Sequence, residues 1–387
     1  MKRILSNPFL LALSTLVGTI VGAGIFGLPY VVAKSGIIAG VFYFVLLGGV
    51  VMILHLMFGE IALRTKEKHR LIGYASLYLG GWAKKLVTVS TIVGSVGALL
   101  AYIIIGGDFL YIALGSFIPL SSFAFAVVLW FVLSLFILRG IQAIAKTELL
   151  MDIILFIVVG VIFVFTLPHF QLQNFMLFNS SFVFLPYGVV LFSFLGLSAI
   201  PEIAELFKHT SEKRSLDNLI VWSSVICGGL FFAFTLFVVG VSGAATSQDA
   251  LSGLIPLLGE KVVVLGAVFG LVAIAGSFLV LGNYLKNSLR YDYKVPYGIS
   301  VAVAIFSPIL LFLLGLREFI FVIGVVGALV AALEGSVIAL IYRTIKEKGD
   351  REPEYSIRIP RPILFGAAVL LVLGALLKFF AFPFLNL

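Results

Sequence analysis

The chain has 387 residues, of which 61% are hydrophobic and 11% are charged, and its mean hydropathy is +1.20. Ordinary soluble domains carry about 25% charged residues, and no water-soluble core could enclose this much apolar surface, so most of it must face lipid. The single cysteine, Cys227, excludes an internal disulfide framework and a cysteine metal cluster.

Eleven segments are apolar over about the 20 residues that a membrane-spanning helix needs. In chain order they cover residues 8–33, 38–63, 86–114, 123–138, 149–167, 182–206, 219–241, 262–285, 299–316, 319–342 and 363–382. The connections are short, so we expect one all-α transmembrane domain over residues 1–387. The segment 69–86, with its aromatic residues and flanking lysines, is typical of an interfacial helix that links the second and third spans.

The basic residues alternate with the spans. If the N-terminus lies in the cytoplasm, most of them fall in cytoplasmic segments, as the positive-inside rule requires. The exceptions are Lys34, Lys261, Arg317 and Lys378. Topology therefore explains the net charge of +8, and nucleic acid is not an expected partner. We predict a multi-pass protein of the cytoplasmic (inner) membrane, with its N-terminus in the cytoplasm.

Two spans contain clustered glycines followed by a proline. The first span holds GTIVGAGIFGLP at residues 18–29, with Gly22 near the bilayer midplane, and the sixth holds LFSFLGLSAIP at residues 191–201. A single pair such as Gly18 and Gly22 can simply permit close helix packing. The two clusters together favour helices that are broken at a binding site between inverted repeats. The repeats would cover residues 7–168 and 182–343, with an additional helix at 361–384.

A broken helix suits a zwitterionic substrate. The N-terminal end of a half-helix offers unpaired N–H groups and a positive dipole that hold a carboxylate. The C-terminal end of the other half offers carbonyl oxygens that hold an ammonium group or a coupling cation. No arginine is then needed in the middle of a span, and the sequence has none there.

An ordered set of motifs resembles the amino acid–polyamine–organocation superfamily, and most of all its amino acid/auxin permease and hydroxy/aromatic amino acid permease families. Besides residues 18–29, the set comprises AYIIIGGD at 101–108, FSFLGLSAIPE at 192–202, ALSGLIPLLG at 250–259 and SFLVLG at 277–282. The resemblance implies a leucine-transporter-type fold, with eleven transmembrane helices, a 5+5 inverted repeat with broken first and sixth helices, and one extra helix.

The resemblance also implies a substrate site. The residues that would hold the carboxylate are Ile20, Gly22, Ala23 and Gly24, and those that would receive the amino group are Phe192, Ser193, Phe194 and Gly196. Phe192 matches an aromatic lid over the site. Ser198 stands where some relatives carry a glutamate, which argues against a dibasic or polyamine substrate. The Asp-Pro-Gly-Asn and Met-Pro-His motifs of metal-transporting relatives are absent from the sequence.

The coupling ion stays open between sodium and protons. A sodium site matching that of relatives would use carbonyl oxygens and side chains of Gly18, Val21, Ala273, Gly276 and Ser277. One of its two usual hydroxyl ligands is replaced by glycine, which weakens the site. A lysine that serves proton-coupled relatives in the fifth span is missing from residues 149–167. The residues favour sodium only slightly, and no other cofactor is expected.

Three ionisable residues fall in the inner halves of their spans, namely His55, Glu202 and Glu334. They could form a proton relay or an inner gate, or they could be hydrogen-bonded packing residues, because buried charge in a membrane usually has a function. We expect Lys34 and Lys378 to extend outward along the membrane surface.

Three further acidic residues are expected near the membrane surfaces, Glu60 and Asp152 on the inner side and Asp108 on the outer side. Glu60 precedes Arg64 by one helical turn and is placed to pair with it. Tyr102 is within reach of the substrate cavity, although we expect it to serve in packing.

The sequence thus predicts a secondary active transporter that moves neutral L-amino acids, including aromatic or hydroxy ones, by alternating access coupled to sodium or protons. An amino acid exchanger and a sensor that uses the fold without flux are the alternatives. An intramembrane enzyme lacks the necessary His, Asp or Ser–His clusters, and an ATP-driven pump lacks a GxxxxGK[ST] loop. The oligomeric state is left open.

Overall fold

The structure is a computed structural model that describes residues 7–139, 145–207 and 209–381. These residues form helices joined by turns and short loops. The helices are α1 (Pro8–Ile20), α2 (Gly24–Ser35), α3 (Ile37–Arg64), α4 (Leu71–Leu79), α5 (Gly81–Leu114), α6 (Ser122–Arg139), α7 (Ala145–Thr166), α8 (Leu185–Phe194), α9 (Ala199–Leu206), α10 (Thr210–Lys213), α11 (Leu216–Ser242), α12 (Ile255–Leu258), α13 (Glu260–Asp292), α14 (Tyr297–Leu313), α15 (Phe319–Lys348) and α16 (Arg361–Ala381).

The helices follow the predicted spans in order. Seven helical stretches of the described residues are long and apolar enough to cross a membrane, and α1 with α2 makes an eighth if the bent pair is one span. Shorter apolar helices lie at the predicted fourth, fifth and ninth spans, in α6, α7 and α14. The total of eleven crossings stays a prediction.

Both predicted helix interruptions are present. The first span is divided into α1 and α2, which are bent by 50° relative to each other. The sixth span is divided into α8 and α9 by residues 195–198, where Leu195 adopts an extended conformation with φ −67° and ψ 123°. Glycine-rich sequence at each point lowers the cost of leaving the helix, since glycine has the weakest helix propensity after proline.

The predicted interfacial helix is shorter than the segment 69–86. It is α4, which ends at Leu79 because Gly80 has a φ of +86°, a left-handed conformation that glycine tolerates best. The third span then begins at Gly81, five residues earlier than predicted, and continues for 34 residues as α5.

Glycines allow α8 and α15 to pack backbone against backbone. A Cβ added at Gly188 would overlap the carbonyl oxygen of Gly324 and would lie 2.7 Å from its carbonyl carbon. A Cβ added at Gly327 would lie 2.5 Å from the backbone nitrogen of Phe192. Small residues at such crossings are what draws helices together in a membrane, where no hydrophobic effect does so. This crossing holds α8, the first half of the sixth span, firmly against α15.

The expectation that Lys378 extends outward is wrong. Its side chain is buried, with 6% of its surface exposed, and its ammonium group lies against the same crossing, next to Gly188 and Gly324. The physical reason is that two glycines leave a groove between α8 and α15 that the lysine side chain from α16 fills. Lys34 lies with its ammonium group 5.6 Å from the centre of the Tyr30 ring.

Glu60 pairs with Arg64 as expected, at 2.7 Å between Arg64 Nε and Glu60 Oε1, but the carboxylate is fully buried. It also accepts hydrogen bonds from the Lys346 ammonium group, the Ser356 hydroxyl and the backbone N–H of Ile357. The connection between α15 and α16 is therefore tied to the end of α3. Asp108 accepts a hydrogen bond from the Ser122 hydroxyl, and the side chain of Asp152 lies outside the described part of the structure.

The crossing of α8 and α15 predicts that alanine substitution lowers stability at Gly188 but not at Gly229, a glycine of α11 outside the crossing. We expect Gly188→Ala to destabilise the protein by about 1–3 kcal/mol through overpacking. Gly229→Ala, in a helix interior where an added Cβ meets nothing within 4 Å, should be neutral or slightly stabilising because alanine is the better helix former. Thermal unfolding of both variants in detergent micelles measures the difference. Equal unfolding midpoints would show that this contact does not limit stability.

Candidate transport site

A cavity of about 720 Å³ lies where the two interrupted spans face α5, α13 and α15. Its wall is mostly apolar, with Phe192, Phe269 and Val272 among the lining residues. Glu334 and Arg70 are the charged residues among those that line it. An apolar cavity with a few convergent polar groups is the usual form of a small-molecule site.

The first interruption presents backbone to the cavity. Gly18, Gly22 and Gly24 line it, and α2 begins at Gly24 with no side chain capping its first N–H groups. The first N–H groups of a helix have no partner within the helix, so they can bind an anion. Gly24 has a second function, because a Cβ there would lie 2.7 Å from the Cα of Ser193. The glycine thus allows α2 and α8 to approach each other at the cavity.

The second interruption is held by a histidine from α3. The backbone N–H of Gly196 donates a hydrogen bond to Nε2 of His55, at 3.2 Å, and His55 is 1% exposed. This bond satisfies a backbone group that the interruption frees, as the interior of a membrane protein requires. Gly196 also packs against Ile20, since a Cβ there would lie 2.6 Å from Ile20 Cγ1. His55 therefore positions the unwound segment. It is not one of the described residues that line the cavity.

The structure brings eleven of the seventeen predicted site residues to the cavity wall and places six elsewhere, two of which are His55, described above, and Glu202. The predicted residues that line the cavity are Ile20, Gly22, Gly24, Phe192, Ser198, Gly18, Val21, Ala273, Gly276, Ser277 and Glu334. Ala23, Ser193, Phe194 and Gly196 are outside the described lining. The Ser193 hydroxyl donates to the carbonyl oxygen of Val189 at 2.8 Å, and the Phe194 ring packs edge-on against Phe44 and Phe231.

Tyr102, expected to be within reach of the substrate cavity and to serve in packing, lines the cavity. Its hydroxyl oxygen is 3.3 Å from where a Cβ of Gly22 would be, and the side chain of Ser277 on α13 lines the same cavity. The Tyr102 hydroxyl thus lies beside the first interruption. The position of Tyr102 in the motif at 101–108 is the sequence signal that could have assigned it to the site.

All five residues of the predicted sodium site line the cavity, but their side chains offer little oxygen. Ser277 is the one hydroxyl among them, and Gly276 faces open space, with nothing within 4 Å of a Cβ added there. In the described part of the chain, no group of three His, Cys, Asp or Glu residues is arranged to hold a metal ion.

Glu334 is the carboxylate of the cavity wall. It is 9% exposed, and Oε1 accepts a hydrogen bond from the hydroxyl of Ser90 at 3.2 Å. Val326 and Val330 precede it on the same face of α15, where they pack against Gly97 and Gly94 of α5. No salt bridge to Glu334 is formed within the described residues. A buried carboxylate without a cationic partner is a candidate to bind a proton.

Arg70 lines the cavity with its side chain 37% exposed, so the cavity wall reaches the protein surface here, at what we call the mouth. Its place among the basic loop residues did not reveal this position. Its guanidinium lies 2.7 Å from Glu205 and 3.6 Å from Glu202, both on α9. Burial alone would lower the pKa of Arg70, but the hydrogen bond to Glu205 and the negative charges of Glu202 and Glu205 outweigh it and raise the pKa. Glu202, predicted as part of a relay or gate, is therefore paired with a cation at the mouth.

Comparison with solved structures gives a match over almost the whole chain. The structure is similar to that of MhsT in complex with L-phenylalanine, with a TM-score of 0.69 and 14% sequence identity, over 96% of this chain and 98% of that chain. At this identity the match shows the fold, and it is the leucine-transporter-type fold that the sequence motifs imply. No curated protein matches the sequence.

A profile of the tryptophan/tyrosine permease family matches residues 6–378. The match includes both interrupted spans and every helix that lines the cavity. Together with the fold, it identifies a multi-pass membrane protein that transports amino acids and is not an enzyme. The chain belongs to the tryptophan/tyrosine permease family.

Proposed function

We propose that the protein carries aromatic L-amino acids across the cytoplasmic membrane by alternating access, coupled to protons. The observation that carries the proposal is the cavity that both helix interruptions line together with Tyr102 and Phe192. The backbone at residues 23 and 24 supplies N–H groups for the substrate carboxylate, while the N–H of Gly22 donates to the carbonyl oxygen of Ile20. The carbonyl ends of α1 and α8 supply acceptors for the ammonium group. The rest of the wall is suited to an apolar side chain.

The aromatic assignment rests on the size and character of the wall. Phe192 and Phe269 provide ring surfaces, and Leu197 and Val272 extend the apolar region. Aromatic rings pack well against other rings in edge-on or offset arrangements. Ser198, at the position where some relatives carry a glutamate, leaves no charge at the second interruption for a cationic side chain. The family to which the chain belongs is named for tryptophan and tyrosine.

The cavity opens toward α4, since Arg70 at the start of that helix is part of its lining. If the basic connections lie in the cytoplasm, as the positive-inside rule requires, this is the cytoplasmic side. The Arg70 pairs then connect α4 to α9, the inner half of the sixth span. Because partly exposed ion pairs contribute about 1 kcal/mol or less, α9 can separate from α4 at little cost when the transporter changes state.

Protons are favoured over sodium by the side chains at the cavity wall. Ser277 supplies the one hydroxyl of the five residues in the predicted sodium site, and Gly276 contributes no side-chain oxygen. In contrast, Glu334 is a buried carboxylate on the cavity wall that can bind and release a proton. The intramembrane position of this acid supports a function in ion coupling, since such residues are costly to keep buried.

The substrate assignment is tested by uptake into proteoliposomes of the purified protein. We expect concentrative uptake of radiolabelled L-tryptophan, L-tyrosine and L-phenylalanine under an inward proton gradient, and little uptake of L-lysine. Gly22→Leu should reduce uptake by roughly 100-fold, because its side chain occupies the cavity and displaces the substrate. Gly229→Leu, on the exposed side of α11, is the matched control. Binding of tryptophan without uptake or exchange would favour a sensor.

The coupling residue is tested by Glu334→Gln. This variant cannot release a proton, so we expect loss of proton-driven accumulation with retention of exchange between preloaded and external substrate. Glu347→Gln, at an exposed position of the same helix, should behave like the wild type. Accumulation by Glu334→Gln at the wild-type level would reject this residue as the proton carrier.

The sodium alternative is tested at Gly276. Wild-type uptake should not respond to a sodium gradient, whereas Gly276→Thr adds a hydroxyl in open space in the cavity that Gly18 and Val21 also line. We expect this variant to gain stimulation by sodium, and Gly276→Val, which has the same shape without the hydroxyl, to gain none. Sodium-driven uptake by the wild type would instead place the existing residues in a sodium site.

A further inference from the structure

A second, smaller cavity lies away from the transport site, between α15 and α16. Its volume is about 170 Å³, and its wall is formed by Ala339 and Leu340 of α15 and by Leu364, Phe365 and Ala368 of α16. Leu340 and Phe365 are exposed on the outer surface of the helix bundle. The cavity is therefore an apolar crevice on a surface that faces lipid in a membrane.

A basic residue lies at the end of the crevice. Arg343, one turn beyond Leu340, is exposed and is part of the crevice wall. The central carbon of its guanidinium lies 5.9 Å from the centre of the Phe365 ring, and Arg343 makes no salt bridge within the described residues. The same end of the crevice adjoins the N-terminus of α16, which begins at Arg361. A helix N-terminus also favours negative charge.

Deeper in the crevice lies a polar group without a partner. The hydroxyl oxygen of Ser336 is buried and forms no hydrogen bond in the structure. It is seven residues from Arg343, or about 10 Å along the helix. Serine hydroxyls inside helices commonly bond to the carbonyl four residues earlier, so this one is available as a donor to a molecule in the crevice.

We propose that this crevice binds an anionic phospholipid. One acyl chain occupies the apolar wall, and the phosphate lies on Arg343 near the N-terminus of α16. The Ser336 hydroxyl lies at the inner end of the apolar wall. Basic pockets between transmembrane helices at the membrane surface are known to bind anionic headgroups.

Charge decides between a lipid and a protein occupant. A second copy of this chain would bring its own basic α15 and α16 ends against Arg343 and Arg361, which repel them. An anionic lipid neutralises both and is supplied by the surrounding bilayer. The site does not depend on the identity of the transported substrate, because its residues are outside the lining of the transport cavity.

The proposal is tested by native mass spectrometry of the delipidated full-length protein, titrated with dioleoylphosphatidylglycerol or with dioleoylphosphatidylcholine. We expect one phosphatidylglycerol to bind more tightly than phosphatidylcholine, and Arg343→Gln to weaken its binding by about fivefold, the effect of one basic residue at a membrane surface. Lys348→Gln, an exposed cation of the same helix outside the crevice, is the matched control and should keep wild-type affinity.

A second variant tests the contribution of the apolar crevice to lipid binding separately from that of the Arg343 charge. Ala368→Phe fills the crevice and leaves Arg343 in place, so it should weaken binding of both lipids while the thermal unfolding midpoint stays near that of the wild type. Inorganic phosphate at millimolar concentration should not displace the lipid, because it has no chain. Equal binding by wild type, Arg343→Gln and Ala368→Phe would overturn the proposal. So would a dimer that Ala368→Phe dissociates, since a second copy would then occupy the crevice.

Discussion

The structure depends on one constraint of the membrane interior, which is that a backbone N–H or carbonyl group has to find a partner within the protein. The two interrupted spans meet this constraint in different ways. At the first interruption, glycines expose backbone to a cavity in which a substrate can be the partner. At the second, His55 accepts the N–H of Gly196. The helices are interrupted only where another partner, a substrate or His55, can replace the lost helical hydrogen bonds, and the transport site lies there.

Around this site the helices divide into firmly packed and loosely held parts. The contact of α8 with α15 is made by glycine backbones and leaves no room for adjustment. α9 packs against α1 and α3, with Ile200 and Ile203 fully buried, and it also forms ion pairs with Arg70 that water can replace at little cost. The two halves of the sixth span are therefore attached to the bundle by different kinds of contact. The Arg70 pairs are the contacts of α9 that separate most easily.

Both interruptions could be predicted from the sequence, because glycine clusters followed by proline act locally and weaken a helix wherever they occur. Whether a residue near an interruption faces the cavity or packs against another helix could not be predicted with the same success. Phe194 packs between α3 and α11, while Phe192, two residues earlier, faces the cavity. Lys378 was misplaced because its environment is created by glycines of two other helices. Arg70 gains its position from tertiary packing, which a single sequence does not specify.

The hydrogen bond between His55 and Gly196 fixes a point from which α9 extends like a lever. The eight residues of α9 are about 12 Å long. A rotation of about 20° around Gly196 would therefore move the far end of α9 by about 4 Å. That displacement exceeds the reach of the hydrogen bond between Arg70 and Glu205 and so opens the mouth, while the N–H of Gly196 keeps its acceptor on α3. The hydrogen bond from Gly196 to His55 of α3 can thus serve as the pivot for a rotation of α9.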